Sequence, residues 1–191
     1  MAKRKVVLIT DGDSIAQSSV ETVARKIGGR CISLSGGNPT PLTGPEIVDL
    51  IKAAAYDPVL VMVDDKGKST KGKGEQALQY IAKHPDIEVL GVVAVASNTH
   101  HTKGTLVDFS ITKDGEVVDG AVDKNGNAAP YSEYLKGDTV DVLRKLNIPL
   151  VVGVGDIGKQ DGADECQAPI TTAAVEEILR RGGYLNGSDQ G

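Results

Sequence analysis

The sequence is poor in aromatic residues, with five tyrosines, one phenylalanine and no tryptophan among 191 residues. Aromatic cages and base-stacking platforms are therefore disfavoured. The core must come instead from Val, Ile, Leu and Ala. This is the composition of buried parallel strands that are covered by helices.

Cysteine and basic charge are also scarce. The two cysteines, Cys31 and Cys166, lie far apart, without a CxxC motif or a paired-histidine spacing, so neither a zinc site nor a disulfide framework is predicted. The 26 acidic residues outnumber the 21 basic ones, for a net charge of −5. Without a broad basic surface, general binding to nucleic acid is excluded.

Long hydrophobic runs are missing as well. The longest, residues 59–63 and 90–96, fall far short of the ~20 residues that cross a bilayer. The N-terminus is positively charged but leads directly into a strand-like run, without a signal-peptide cleavage site. We therefore expect a cytoplasmic protein with no transmembrane segment.

What the sequence does contain is an alternation of strand-like and helix-like segments. Strands are expected at residues 5–10, 30–34, 58–63, 88–96 and 149–154. Helices are expected at residues 15–27, from Thr43, and at 75–83, 139–146 and 171–181, with Thr43 and Glu46 forming a capping box. Right-handed crossovers then predict a three-layer α/β/α fold with a Rossmann-like or flavodoxin-like, mostly parallel sheet.

One segment interrupts this alternation. Residues 107–112 and 116–122 flank an Asp-Gly pair at Asp114 and Gly115, which predicts a β-hairpin insertion at a sheet edge or over the active face. Residues 123–137 are expected to be an irregular excursion. We expect a single domain over residues 1–184 and a flexible tail over residues 185–191.

Polar side chains follow the expected parallel strands. Ligands of open parallel sheets bind outside the carboxyl ends of the strands, so each exit loop is a candidate for function. The predicted ligand-binding set at this rim is Asp11, Asp13, Asn38, Asp64, Asp65, Ser97, Asn98, His100, His101 and Asp156.

The carboxylates of this rim have two open interpretations. Several carboxylates at one edge repel one another and would gain from a hard cation such as Ca²⁺ or Mg²⁺, for which Asp11, Asp13 and Asp64 are the candidate ligands. Aspartates at strand ends also cap helices and form turns without any metal. The two histidines similarly suit either ligand contact or an exposed loop.

Familiar catalytic patterns are missing from the sequence. It has no G-x-S-x-G elbow, no G-x-x-x-x-G-K-[ST] loop and no G-x-G-x-x-G fingerprint. Residues 66–73 carry four lysines and are expected to form a solvated basic loop, with contact to an anionic membrane surface or an acidic partner as the alternative. A divalent-metal-dependent phosphohydrolase or a Toprim-like phosphotransfer domain is the enzyme alternative, because both place acids at strand ends. No catalytic residue is predicted.

Eight segments together resemble the soluble member of the stage V sporulation protein AE family of spore-forming Firmicutes. The resemblance extends to about residue 184, and its most specific runs are residues 95–101 and 153–159. The other segments are residues 10–13, 28–33, 37–40, 57–62, 74–78 and 84–91.

This resemblance implies a non-catalytic soluble accessory protein in sporulation and spore germination, associated with uptake or release of calcium dipicolinate. It implies partners among the other stage V sporulation A operon proteins, and a location in the cytoplasm or forespore, peripheral to the spore inner membrane. The family carries no assigned catalytic residues. Calcium dipicolinate is then a candidate ligand of the rim, with carboxylates on the calcium and Asn98 or His100 on the ligand carboxylates.

Overall fold

A seven-stranded sheet lies at the centre of the computed structural model, which describes residues 2–66, 72–98, 102–164 and 167–185. The strands are β1 (Arg4–Ile9), β2 (Arg30–Cys31), β3 (Val59–Met62), β4 (Ile87–Val95), β5 (Thr105–Leu106), β6 (Phe109–Ile111), β7 (Val117–Val118), β8 (Ala121–Val122), β9 (Ala128–Ala129), β10 (Tyr134–Leu135) and β11 (Val151–Val154). The helices are α1 (Ser14–Lys26), α2 (Gly44–Ala53), α3 (Lys73–Lys83) and α4 (Pro169–Arg181).

Helices cover both faces of the sheet. Successive side chains of β1 point to opposite faces, so Val7 and Ile9 join the core under α1 and α4, whereas Val6 and Leu8 join the core under α2 and α3. The mostly parallel, three-layer α/β/α prediction is therefore confirmed.

The strand order is β2-β3-β1-β4-β11-β6-β7, parallel throughout except for the pairing of β6 with β7. Both common doubly wound orders place β2 beside β1, whereas here β1 lies between β3 and β4 and β2 lies beyond β3 at the edge. The physical reason lies in β2, which has only two residues and turns at once into a 3₁₀ segment at Ser33–Ser35. A strand of two residues suits the sheet edge, and the fully buried β3 pairs with β1 instead.

The predicted hairpin is present and lies at the sheet edge. Ser110 pairs with Val118 and Ile111 with Val117, across a turn in which the Thr112 N–H donates to the Glu116 carbonyl at 2.9 Å. Its strands are shorter than expected, because β8 leaves the sheet to pair with β9. The expected irregular excursion also contains β10, which pairs with β5.

Two helical predictions have different outcomes. The capping box of α2 is confirmed, since the Thr43 N–H donates to Glu46 Oε2 at 2.8 Å and the Glu46 N–H donates to Thr43 Oγ1. The helix expected at residues 139–146 is instead a short 3₁₀ turn at Asp141–Lys145.

Among the described residues, no helix combines the length and the apolar character needed to cross a membrane.

Candidate functional site at the carboxyl ends of the strands

The exit loop of β1 leads into α1 and that of β3 leads into α3, and these two helices lie on opposite faces of the sheet. In open α/β sheets, ligands bind where strand-exit loops lead to opposite faces of the sheet. Gly12 lies where the loops meet: its carbonyl accepts a hydrogen bond from the Gly37 N–H at 2.6 Å. A Cβ on Gly12 would lie 2.7 Å from the Gly37 oxygen and 3.3 Å from Cβ of Asp64. Only glycine therefore allows the three exit loops to approach this closely.

Asp11 is the most buried carboxylate at the end of β1, with 9% of its surface exposed. Its Oδ1 accepts hydrogen bonds from the N–H groups of Gly12 at 2.7 Å and of Asp13 at 3.3 Å. Burial raises the pKa of Asp11 to about 7, and the negative charge of Asp13 adds to the increase. The charges of Asp64 and Asp156 raise this pKa further, so Asp11 changes its protonation near neutral pH.

Asp64 occupies the equivalent position after β3 and is 4% exposed. Burial raises its pKa to about 6, although a hydrogen bond from the Lys66 N–H to Oδ1 acts in the opposite direction. Thr40 fixes the backbone of Asp64 from the neighbouring loop, since its Oγ1 accepts from the Asp64 N–H at 2.7 Å. Exposed Asn38 lies in this same loop.

Asp13 and Asp65 cap helices. Oδ1 of Asp13 accepts from the N–H groups of Ile15 and Ala16 at 2.9 Å each, at the start of α1. Asp65 accepts from the Gly74 N–H at 2.7 Å and the Glu75 N–H at 2.8 Å, in the first turn of α3. For these two residues the helix-capping interpretation accounts for the carboxylate.

Asp156 follows β11 and is paired within its own loop. Its Oδ1 accepts from the Gly158 N–H at 3.1 Å, and its Oδ2 forms an ion pair with the Lys159 ammonium. Its backbone N–H donates to the Lys124 carbonyl at 2.9 Å, which joins this loop to the excursion after the hairpin.

The loop after β4 is described only as far as Asn98. Ser97 donates its backbone N–H to the Lys136 carbonyl at 3.0 Å, and its Oγ accepts from the Asp138 N–H at 3.1 Å. Asn98 is exposed and borders a cleft of about 400 Å³. The predicted site residues His100 and His101 lie outside the described residues, as do residues 67–71 of the basic loop.

The carboxylates of the rim influence one another electrostatically, but they make different contacts. The charges of Asp13, Asp64 and Asp156 all raise the pKa of Asp11, so these carboxylates repel one another. Within the described ranges, no three acidic, histidine or cysteine side chains are arranged to share one metal ion. Asp11 and Asp64 alone would offer two carboxylates to a cation, which is enough for a hard cation that takes its other oxygens from water or a ligand.

Three polar residues near the rim had no signal in the sequence. Lys124 and Lys136 border the cleft because short strands fold back over the end of β4. Gln160 is fully buried, with neither polar atom of its side chain hydrogen bonded to the part of the chain that the structure describes. No periodic pattern surrounds these residues, so sequence reasoning could not find them.

Comparison with known proteins identifies the family. A family model described as stage V sporulation protein AE1 matches residues 5–182. No curated protein and no solved structure matches the chain. Because the matched segment spans nearly the whole sequence, including every strand-end loop described above, the chain belongs to the stage V sporulation protein AE family.

Proposed function

We propose that this protein is a non-catalytic accessory protein of sporulation and spore germination that assists the uptake or release of calcium dipicolinate. The observation that carries the proposal is the family match over residues 5–182, which gives the chain a sporulation role. The proposed partners are the other stage V sporulation A operon proteins. The proposed location is the cytoplasm or forespore, at the surface of the spore inner membrane.

The rim suits a calcium carboxylate ligand. Oδ1 of Asp11 accepts from the Gly12 and Asp13 N–H groups and Oδ1 of Asp64 accepts from the Lys66 N–H, so the Oδ2 atoms are the oxygens that we propose bind the cation. Calcium prefers carboxylate oxygens and accepts six to eight of them, which leaves room for ligand carboxylates in the same shell. A bound cation would also lower the raised pKa values of both aspartates.

The enzyme alternative, a metal-dependent phosphohydrolase or Toprim-like domain, gains no support. In a Toprim-like site, two acids that follow one strand would face one metal ion together. The adjacent Asp64 and Asp65 instead serve different elements, since Asp64 accepts from the Lys66 N–H and Asp65 from the first turn of α3.

A genetic experiment tests the proposed function. The chain is deleted from a spore-former that carries it, and both the dipicolinate content of dormant spores and its release rate during germination are measured. We expect a lower content or a slower release, restored by the complete chain. If spores without the chain are normal in both measurements, the proposed function is wrong.

Calorimetry tests the rim. Ca²⁺, Mg²⁺ and calcium dipicolinate are titrated into the complete chain and into Asp11→Asn and Asp64→Asn, with exposed Asp49→Asn on α2 as the matched control. We expect calcium dipicolinate to bind the parent and the control, and to bind each rim variant at least tenfold more weakly. If no heat is released at millimolar ligand, the rim does not bind calcium dipicolinate. The genetic test of the proposed function is unaffected by that result.

A further inference from the structure

A cleft of about 400 Å³ opens where β4 ends. It is lined by residues 96–98 and by the segment that runs through β8, β9 and β10. Sites for small molecules typically measure roughly 300–1,000 Å³ and lie at the carboxyl ends of parallel strands. The cleft therefore has the size and the place of a small-molecule site.

The lining of the cleft includes buried apolar residues as well as polar ones. It contains Ala96 at the end of β4 and Ala121 and Val122 of β8, all of which are buried. A compact apolar body fits against side chains of this size. The apolar part of this lining favours an organic ligand over a bare inorganic ion, because covering apolar surface contributes to affinity.

Two lysines border the same cleft, and each is fixed through its backbone to a strand exit. The Lys136 carbonyl accepts from the Ser97 N–H at 3.0 Å, and the Lys124 carbonyl accepts from the Asp156 N–H at 2.9 Å. Neither ammonium forms an ion pair with any residue in the described ranges. Both charges are therefore available to a ligand.

The acidic residue among the lining residues, Asp123, is occupied within its own turn. Its Oδ1 accepts from the N–H groups of Asn125 at 2.8 Å and of Asn127 at 2.9 Å, and Oδ2 accepts from Nδ2 of Asn127 at 3.3 Å. The cleft consequently offers two ammonium groups against one internally bonded carboxylate. Exposed Asn98, which also lines the cleft, adds a neutral donor and acceptor.

We infer that this cleft binds a small organic anion, a compact mono- or dicarboxylate whose apolar body covers Ala96, Ala121 and Val122. Its carboxylates pair with the ammonium groups of Lys124 and Lys136. The inference deepens the proposed function and rests on it for the choice of dipicolinate as the probe. The cleft is then an anion site that needs no cation. It lies beside the carboxylate rim, because the N–H of Asp156 in the rim donates to the carbonyl of Lys124 in the cleft.

The test is a calorimetric titration of the complete chain in the presence of a chelator, so that no calcium takes part. The probes are dipicolinate, its uncharged diamide, and inorganic phosphate. We expect saturable binding of dipicolinate, weakened by salt, with the diamide and phosphate at least tenfold weaker because one lacks charge and the other lacks an apolar body. Equal affinity for dipicolinate and the diamide, or no saturation by dipicolinate at millimolar concentration, would overturn the inference.

Lysine variants assign the binding to the cleft. Lys124→Gln and Lys136→Gln should each weaken dipicolinate at least fivefold, whereas Lys83→Gln, at an exposed position on α3, should leave the affinity unchanged. Unchanged affinity in both cleft variants contradicts the proposed site.

The spore measurements separate this inference from the proposed function. If spores need the chain for normal dipicolinate content or release but the metal-free anion does not bind, the cleft inference fails and the function stands. If the anion binds through Lys124 and Lys136 but spores without the chain are normal, the proposed function fails and the cleft inference stands.

Discussion

Asp65 and Gly74 are joined by a 2.7 Å hydrogen bond between a carboxylate that follows β3 and a backbone N–H in the first turn of α3. The other carboxylate oxygen accepts from the Glu75 N–H at 2.8 Å and from Thr139 Oγ1 at 3.2 Å. The residue at the start of α3, Gly72, has no side chain for this task. Asp65 therefore satisfies the free N–H groups of the helix and places negative charge at its positive end.

Removing this cap should destabilise the protein. Asp65→Ala is expected to lower the free energy of unfolding by about 1–2 kcal/mol, and Asp65→Asn by less, because the amide oxygen still accepts one hydrogen bond. Urea denaturation measures the change, with exposed Asp49→Ala as the control. Equal unfolding midpoints for Asp65→Ala and Asp49→Ala would contradict the capping role.

The stability of the protein should fall as the pH rises from about 4 to about 7. The pKa of Asp11 is about 7 in the folded chain against an ordinary value of 3.8, so the folded state holds a proton that the unfolded state releases across this window. Folding is then favoured at the acid end, and the cost of the buried charge is complete above about pH 7. Asp64, with a pKa of about 6, contributes in the same direction.

Asp11→Asn tests this dependence, because the amide keeps the acceptor for the Gly12 N–H but carries no charge. Relative to the parent, the variant should gain about 3 kcal/mol more in the free energy of unfolding at pH 8 than at pH 4. Urea denaturation at the two pH values measures this, and Asp49→Asn should follow the parent. A variant that keeps the full pH dependence of the parent would show that Asp11 is not its source.

The sequence alone predicts the layers of the fold and the position of the rim, but not which of the rim carboxylates cap helices. Long strands such as β4 carry enough apolar residues to be recognised, and parallel strand ends necessarily share one edge. Strands of two residues, such as β8 and β10, are too short to show any period. The positions of Lys124 and Lys136 over the end of β4 therefore followed only from the three-dimensional structure. The different roles of Asp64 and Asp65 also required the structure, because which of them caps α3 depends on where that helix begins.

Replacing Gln160 should stabilise the protein. Its side chain is fully buried, and its amide has no hydrogen-bond partner among the described residues. A buried amide without partners costs about 1–3 kcal/mol, so Gln160→Met, of similar shape, should raise the free energy of unfolding by about 1 kcal/mol. Thermal and urea unfolding measure the difference. A loss of stability in the methionine variant would mean that the amide makes a stabilising hydrogen bond in solution.

The exit loops after β1, β2 and β3 approach one another closely at Gly12. A methyl group on Gly12 would lie 2.7 Å from the Gly37 carbonyl oxygen, a backbone atom that cannot rotate away. Gly12→Ala should therefore push the loops after β1 and β2 apart and lower the free energy of unfolding by about 1–3 kcal/mol. The control is Gly158→Ala, whose methyl group would come no closer than 3.3 Å, to the end of the Ile15 side chain. Urea denaturation of both variants decides the matter: equal stability would mean that the loops are further apart in solution, and that Asp64 is less closely held against the loop that carries Asp11.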